Sequence, residues 1–238
     1  DTTSTNVASQ VQGLTNIIDV SCGDVHSLML KNDSTVWAWG DNSLGQLGNG
    51  TQISSSLPVQ VVGLTDVIAI DGGGDHSMAL KNDGTVWTWG FNSNGQLGIE
   101  NSFISLVPVQ VSGLSNIIAI SGGYLFSLAL KSDGTVWAWG YNSGGQLGNN
   151  STIDSAIPTQ VSNLNGISSI HAGYYHSVAI KNDATAWAWG YNEDGQIGCG
   201  SNTSFTVPVQ MVGINNVETA AAGNRHSLVI LKDGSLWA

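Results

Sequence analysis

The chain has 238 residues, 41% apolar and 10% charged, which is enough apolar material to bury a core and too much for a disordered chain. Six Lys and Arg against 17 acids give a formal charge of −11, which excludes nucleic-acid binding through a basic face and opposes docking on an anionic membrane. No apolar run reaches the roughly 18–20 residues that span a bilayer, so no membrane insertion is expected.

The polar start, Asp1-Thr2-Thr3-Ser4-Thr5-Asn6, predicts a flexible segment over 1–8 ahead of a single domain over 9–238. From there the chain repeats every 50 residues. Lys31, Lys81, Lys131 and Lys181 mark the period, as do Trp37, Trp87, Trp137, Trp187 and Trp237. Trp39, Trp89, Trp139 and Trp189 recur likewise, each followed by Gly, and Pro58, Pro108, Pro158 and Pro208 are all the prolines. In copy two the predicted strands run over 58–61, 67–70, 76–80 and 85–89, rich in β-branched and aromatic residues. Asn82-Asp83-Gly84 predicts a tight hairpin whose Gly supplies a positive φ, with Ser34 and Ala184 replacing that Gly elsewhere. No stretch shows a helical period, so the chain is all-β.

Four strands per repeat predict a β-propeller with WD-like blades. Each Trp pair, two residues apart, leaves one face of its strand and supplies an indole stripe for a blade interface. Ala38, Thr88, Ala138 and Ala188 occupy the opposite face, where small residues let the next sheet approach. The chain enters on Ser9-Gln10-Val11 and leaves on Ser235-Leu236-Trp237-Ala238. Pairing of these two strands would close five blades, the preferred architecture. Cys22 reads as a small buried filler and Cys199 as a polar-loop residue, with no disulfide framework.

Copy two carries Gly73, His76-Ser77, Lys81, Asp83-Gly84, Trp87, Trp89-Gly90, Asn92 and Gly95-Gln96-Leu97-Gly98. This string resembles the repeat of the regulator of chromosome condensation family, over about residues 9–238. The resemblance implies a ring that is usually seven-bladed, so the alternative architecture is an arc of a larger propeller.

His26, His76, His176 and His226 recur at one strand position, with Phe126 in copy three, and each is followed by Ser. A Ser–His nucleophile needs a uniquely placed orienting acid, and none stands out. Imidazoles on separate blades lie beyond the ~2 Å reach of a shared metal. They read as structural groups bonded to turn backbone near Gly23, Gly73, Gly173 and Gly223, and no metal or cofactor is expected. Asp33, Asp83, Asp133, Asp183 and Asp233 read as turn-capping acids. Asn42, Asn92, Asn142 and Asn192 and the following Gln residues read as amides that satisfy loop backbone.

Binding is sought where the copies differ, because scaffold positions must repeat and binding positions need not. Ahead of the His strand stand Asp24-Val25, Gly74-Asp75, Tyr124-Leu125, Tyr174-Tyr175 and Asn224-Arg225; after Trp-Gly stand Asp41, Phe91, Tyr141 and Tyr191. All five tyrosines fall in these loops of copies three and four. Tyr124, Leu125, Tyr141, Tyr174, Tyr175, Tyr191, Asn224 and Arg225 are the candidate binding residues.

These readings favour a non-enzymatic scaffold that binds a protein partner through the loops of copies three and four. The resemblance offers an alternative, guanine nucleotide exchange on a small GTPase by a protruding wedge, yet copies of nearly constant length show no inserted wedge. A lectin-like carbohydrate-binding module is a further alternative, suited to aromatic platforms repeated around a ring. Scarce Lys and plentiful Ser, Thr and Asn point to a secreted or otherwise extracytoplasmic setting, with the cytoplasm as the alternative.

Overall fold

The computed structural model describes residues 7, 10, 11, 13–100 and 102–238. Its strands form five antiparallel sheets in chain order. Blade one holds β1 (Ile17–Cys22), β2 (His26–Lys31), β3 (Val36–Gly40) and β4 (Ser55–Gln60). Blade two holds β5 (Val67–Gly72), β6 (His76–Lys81), β7 (Val86–Phe91) and β8 (Ile104–Gln110). Blade three holds β9 (Ile117–Gly122), β10 (Phe126–Lys131), β11 (Val136–Gly140) and β12 (Ser155–Gln160). Blade four holds β13 (Ile167–Ala172), β14 (His176–Lys181), β15 (Ala186–Gly190) and β16 (Phe205–Gln210). Blade five holds β17 (Val217–Ala222), β18 (Ser227–Leu231) and β19 (Leu236–Trp237). The fold is an all-β propeller architecture, as the repeat predicts.

Blade and sequence copy are out of phase by one strand. The strand that opens copy two, β4, pairs with β3 and completes blade one. The recurrent prolines lie in β4, β8, β12 and β16, the outer edge strands, where a missing N–H removes no ladder bond.

Each junction buries the same pair of faces. Leu28, Leu30, Val36 and Ala38 of blade one pack on Val67, Ile70, Ala79 and Trp89 of blade two. Three further clusters repeat this packing along the chain. With a neighbour on both faces, β10 and β14 are buried at every position except the final Lys. The two indoles of a blade have different duties. Trp89, Trp139 and Trp189 are fully buried, and their Nε1–H groups donate to the carbonyls of Gln46, Gln96 and Gln146 on the preceding blade, at 2.8–2.9 Å. Burying such a ring contributes several kcal/mol at about 25 cal/mol per Å². Trp37, Trp87, Trp137 and Trp187 are half-buried, with a Lys Nζ 5.4–5.9 Å from each ring. Asp33 Oδ1 accepts from the Thr35 backbone N–H and hydroxyl, and Thr35 Oγ1 accepts from Trp37 Nε1, so one hairpin acid anchors the turn and the outer indole. The same hydroxyl contact holds the carboxyls of Asp33, Asp83, Asp133 and Asp183 below their usual range.

The hairpins with Ser34 and Ala184 keep the glycine conformation: φ is 64° and 62°, against 76° and 79° at Gly84 and Gly134. The turn type is therefore retained, and a Cβ in this region costs about 1–2 kcal/mol.

The preferred closure is corrected. The last sheet has three strands, Gln10 and Val11 lie outside any strand, and Ser9 lies outside the described residues. The flanks of the first and last blades are uncovered among the described residues. Val20 is 67% exposed where its counterpart Ile70 is 6% exposed, and Leu236 is 64% exposed where Val36 is 1% exposed. That pattern matches the alternative, an arc. Of the predicted leader, only Val7 is described; residues 1–6 and 8 lie outside the described residues. Cys22 is also corrected. It is exposed because it lies on the uncovered first blade, and both cysteines are free.

Candidate functional site

The two sets of variable loops, separate in sequence, converge at one end of the blades. Backbone N–H groups of Asp41, Phe91, Tyr141 and Tyr191 donate to the carbonyls of Val25, Asp75, Leu125 and Tyr175, each at 2.9 Å. The residue after Trp-Gly is thus clamped beside the residue before the His strand, in all four copies. In blades three and four this clamp gathers the tyrosines. Tyr124 and Tyr174 stack with centroids 3.9 Å apart and planes at 11°. Tyr175 stands edge-on to both, at 5.6 and 4.9 Å, and lies 6.1 Å from Tyr141 and 6.3 Å from Tyr191. Stacked and edge-on pairs of this kind are each worth about 0.5–1.5 kcal/mol beyond their burial. Tyr175 is therefore the hub of one contiguous aromatic surface, and all five rings remain half-buried.

A cleft of about 210 Å³ opens where Tyr141, Tyr175 and Tyr191 meet Ser143, Gly144, Gln146 and Arg225. Arg225 is exposed, and its Nη1 lies 3.4 Å from Asp194 Oδ2. Leu125 is half-buried, its carbonyl accepting from the Tyr141 N–H, and Asn224 is exposed at the rim of the central cavity, whose volume is about 310 Å³. Two of the tyrosine hydroxyls meet acids: Tyr174 OH donates to Asp24 Oδ2 at 3.1 Å, and Tyr191 OH donates to Glu193, while Tyr141 OH accepts from Ser143. Burial pushes the Tyr174 and Tyr175 phenols up, and the Glu193 contact does the same to Tyr191. These three rings stay neutral, with electron-rich faces, across the physiological range. Asp24 and Asp75 occupy variable loop positions outside the candidate binding residues. Asp24 joins the site only when blade one is folded opposite Tyr174, and Asp75 lies near Asp24.

The histidines do a different job from the one expected. They bond the next blade rather than turn backbone. His26, His76 and His176 place Nε2 2.8, 3.0 and 2.9 Å from the hydroxyls of Ser77, Ser127 and Ser227. Each of these serines donates its proton to a Gln carbonyl: Ser77 to Gln46, Ser127 to Gln96 and Ser227 to Gln196, at 2.7–2.9 Å. The imidazole must then donate through Nε2–H, which fixes its neutral tautomer and leaves no base to activate the serine. Burial drives the pKa down to about 4 for His26 and His176 and about 3 for His76. Phe126 interrupts the ladder, and Ser177 still donates to Gln146. His226, on the last blade, is exposed. The glycine that recurs three residues before each ring has a steric cause: a Cβ on Gly73 would sit 2.0 Å from His76 Cε1 and 2.6 Å from the Gly123 carbonyl.

Deeper in the central wall, Asp71 ties three blades together. It accepts from Ser21 Oγ at 2.7 Å, from Gly72 N at 3.0 Å and from Gly122 N at 2.9 Å. Its counterparts are Ser21, Ser121, His171 and Ala221, so the one acid in this row is the only signal the sequence offered. Among the described residues no group of three His, Cys, Asp or Glu side chains is placed to hold a metal ion.

Stacked blades joined by indole slots, with aromatic variation gathered in the loops at one end, define a β-propeller protein. Residues 1–238 match the family model of the RCC1-like domain, and the chain belongs to that family. It is similar to Prp20p of Saccharomyces cerevisiae, at 25% identity and a TM-score of 0.84 over 92% of this chain and 57% of that one. It is equally similar in fold to human WBSCR16, at 26% identity and a TM-score of 0.84 over 94% of this chain and 60% of that one. A human protein described as probable E3 ubiquitin-protein ligase HERC6 is 59% identical over 39 residues, 16% of this chain and 4% of its own length. Mouse HERC2, described as an E3 ubiquitin-protein ligase, is 42% identical over 45 residues, 18% of this chain and 1% of its own length. The chain thus spans a small part of those curated relatives and less than two thirds of the two solved ones.

Proposed function

We propose that this domain is a non-enzymatic scaffold that binds a protein partner through the tyrosine surface of blades three and four. The single observation behind this reading is that all five tyrosines form one half-buried aromatic surface in the loops that escape the repeat. Aromatic residues on a rigid support carry interface energy at low entropic cost. The description of Prp20p by its binding properties to Gsp1p and histones supports a protein rather than a glycan as the kind of partner. Ligase activity is not proposed, since the shared stretches are a few per cent or less of those enzymes. A photo-crosslinking residue at Leu125 should trap a partner that the same residue at Asp83, on the opposite end of the blades, does not. Combining Tyr124→Ala, Tyr174→Ala and Tyr175→Ala should abolish the capture with the blades still folded. Capture that ignores the tyrosines, or occurs equally at Asp83, would retire the reading.

A second reading, nucleotide exchange on a small GTPase, draws on the family membership and the likeness to Prp20p. A nucleotide-release assay across small GTPases tests it, with acceleration expected only if a loop other than the near-constant 50-residue repeat supplies the wedge.

A further inference from the structure

The charges around the tyrosines define what sort of segment this surface takes, an inference that rests on the protein-binding reading above. Cations and aromatic loops lie at opposite ends of the blades. Lys31, Lys81, Lys131 and Lys181 close the second strand of their blades at the hairpin end, and Lys232 follows β18 at the same turn. The sixth cation, Arg225, is alone at the tyrosine end and is already engaged by Asp194. Asp24, Glu193 and Asp194 act on the rings, Asp24 and Glu193 by accepting from tyrosine hydroxyls, and Asp75 stands near Asp24 and Asp41. Asp75 is half-buried, and its carboxyl is pushed up by burial and then by the charges of Asp24 and Asp41. Asp41 takes up hydroxyls of Ser43 and Ser54 and the Gln46 amide, all uncharged. Like charges are therefore held close together with only neutral donors between them.

We infer that this surface binds an extended cationic segment of a partner protein, with one arginine or lysine side chain entering the cleft of Tyr141, Tyr175 and Tyr191 and neighbouring cations pairing with Asp24 and Asp75. Three features favour a cation there over other ligands. Neutral tyrosine faces attract a guanidinium or ammonium group by about 0.5–2 kcal/mol, more as the site dries. The cleft, about 210 Å³, admits one long side chain and excludes a folded element. A phosphorylated or acidic segment would meet Asp24, Glu193 and Asp194 against a single arginine that Asp194 already engages, a net repulsion. Arg225 also lines that cleft, and its charge is offset by Asp194 Oδ2 at 3.4 Å.

The test uses three short peptides with Gly-Ser spacers carrying Arg, Gln or Glu at the same positions, titrated calorimetrically into the intact chain. The Arg peptide should bind, the Gln peptide at least about tenfold more weakly, and the Glu peptide undetectably. Binding should also weaken between low salt and about 150 mM salt. Tyr191→Ala and Asp75→Asn should each weaken the Arg peptide about tenfold, whereas Asp83→Asn plus Asp133→Asn at the hairpin end should leave it unchanged. Equal affinity for the three peptides overturns the inference. So does an equal loss in the hairpin-end variant, which would mean bulk attraction to a chain of charge −11. Partner capture from Leu125 that the Arg peptide fails to compete overturns the cationic segment and leaves protein binding standing. Absence of capture with the peptide still bound overturns the protein-binding reading alone.

Discussion

The two ends of the blades are built from the same repeat and differ in what they tolerate. At the hairpin end, an acid, a hydroxyl, an indole and a lysine recur in copy after copy, because each hairpin faces the same local need: a positive φ, a capped turn and a covered ring. At the loop end the backbone clamp recurs, but the side chains it carries do not: Asp41 and Val25 in one blade, Tyr191 and Tyr175 in another. The comparison teaches that the scaffold's obligations are met by backbone and buried positions, which frees the side chains at one end for a task the scaffold does not set.

The sharpest way to break that comparison is to attack both ends and compare the costs. Trp139→Ala should destabilise by about 3–5 kcal/mol, since it opens a cavity and removes one of the two donors on the Gln96 carbonyl, leaving only Ser127, as a shift in the urea midpoint would show. A loss under about 1 kcal/mol would mean that the buried indoles are not what joins the blades. Acid comes next. His26, His76 and His176 stay neutral when folded but titrate near 6.5 when unfolded, so the unfolded chain binds more protons below that pH. Stability should be full above pH about 6.5 and fall as the pH drops towards 4, by up to about 3 kcal/mol per ring. His76→Phe, which copies Phe126, should flatten the slope of urea midpoint against pH; an unchanged slope would place the acid sensitivity elsewhere.

Smaller effects sharpen the contrast. Ala184→Gly and Ser34→Gly should each stabilise by about 1 kcal/mol, because both residues sit at a positive φ that glycine adopts without a Cβ clash. Thermal melts check this, and destabilisation would show that side-chain packing at the turn outweighs the backbone strain. Smallest of all, Tyr191→Ala at the loop end should move the melting midpoint by an amount equivalent to about 0.5 kcal/mol or less. A larger loss would mark that ring as part of the scaffold.

Much of the fold was legible because the repeat states each constraint several times. Period-2 alternation, Gly at the hairpin and paired indoles point to the same blade from independent directions. The phase of the blade was harder to read. The proline strand sits next in sequence to the strand it precedes, yet it pairs back onto β3, and only hydrogen bonding distinguishes the two. The histidines were recognised as structural, but their partners were misplaced, because a partner 51 residues away on the next blade leaves no local trace. Within the candidate site, the tyrosines stood out by type and position. Their stacking, the clamp that brings the two loop sets together and the acids contributed by blades one and two depend on how neighbouring sheets lie side by side.

By itself the sequence determined the number of repeats, the strand content, the hairpin chemistry and the residues that escape the pattern, since these follow from steric and polar preferences acting over a few residues. The tertiary structure decided which carbonyl each indole meets, which serine each imidazole meets, how the flanking blades are left uncovered and which charges share a surface with the tyrosines. Those choices depend on the angle and spacing at which one blade packs on the next. That geometry emerges from buried apolar contact summed along a whole interface, and no short stretch of chain encodes it.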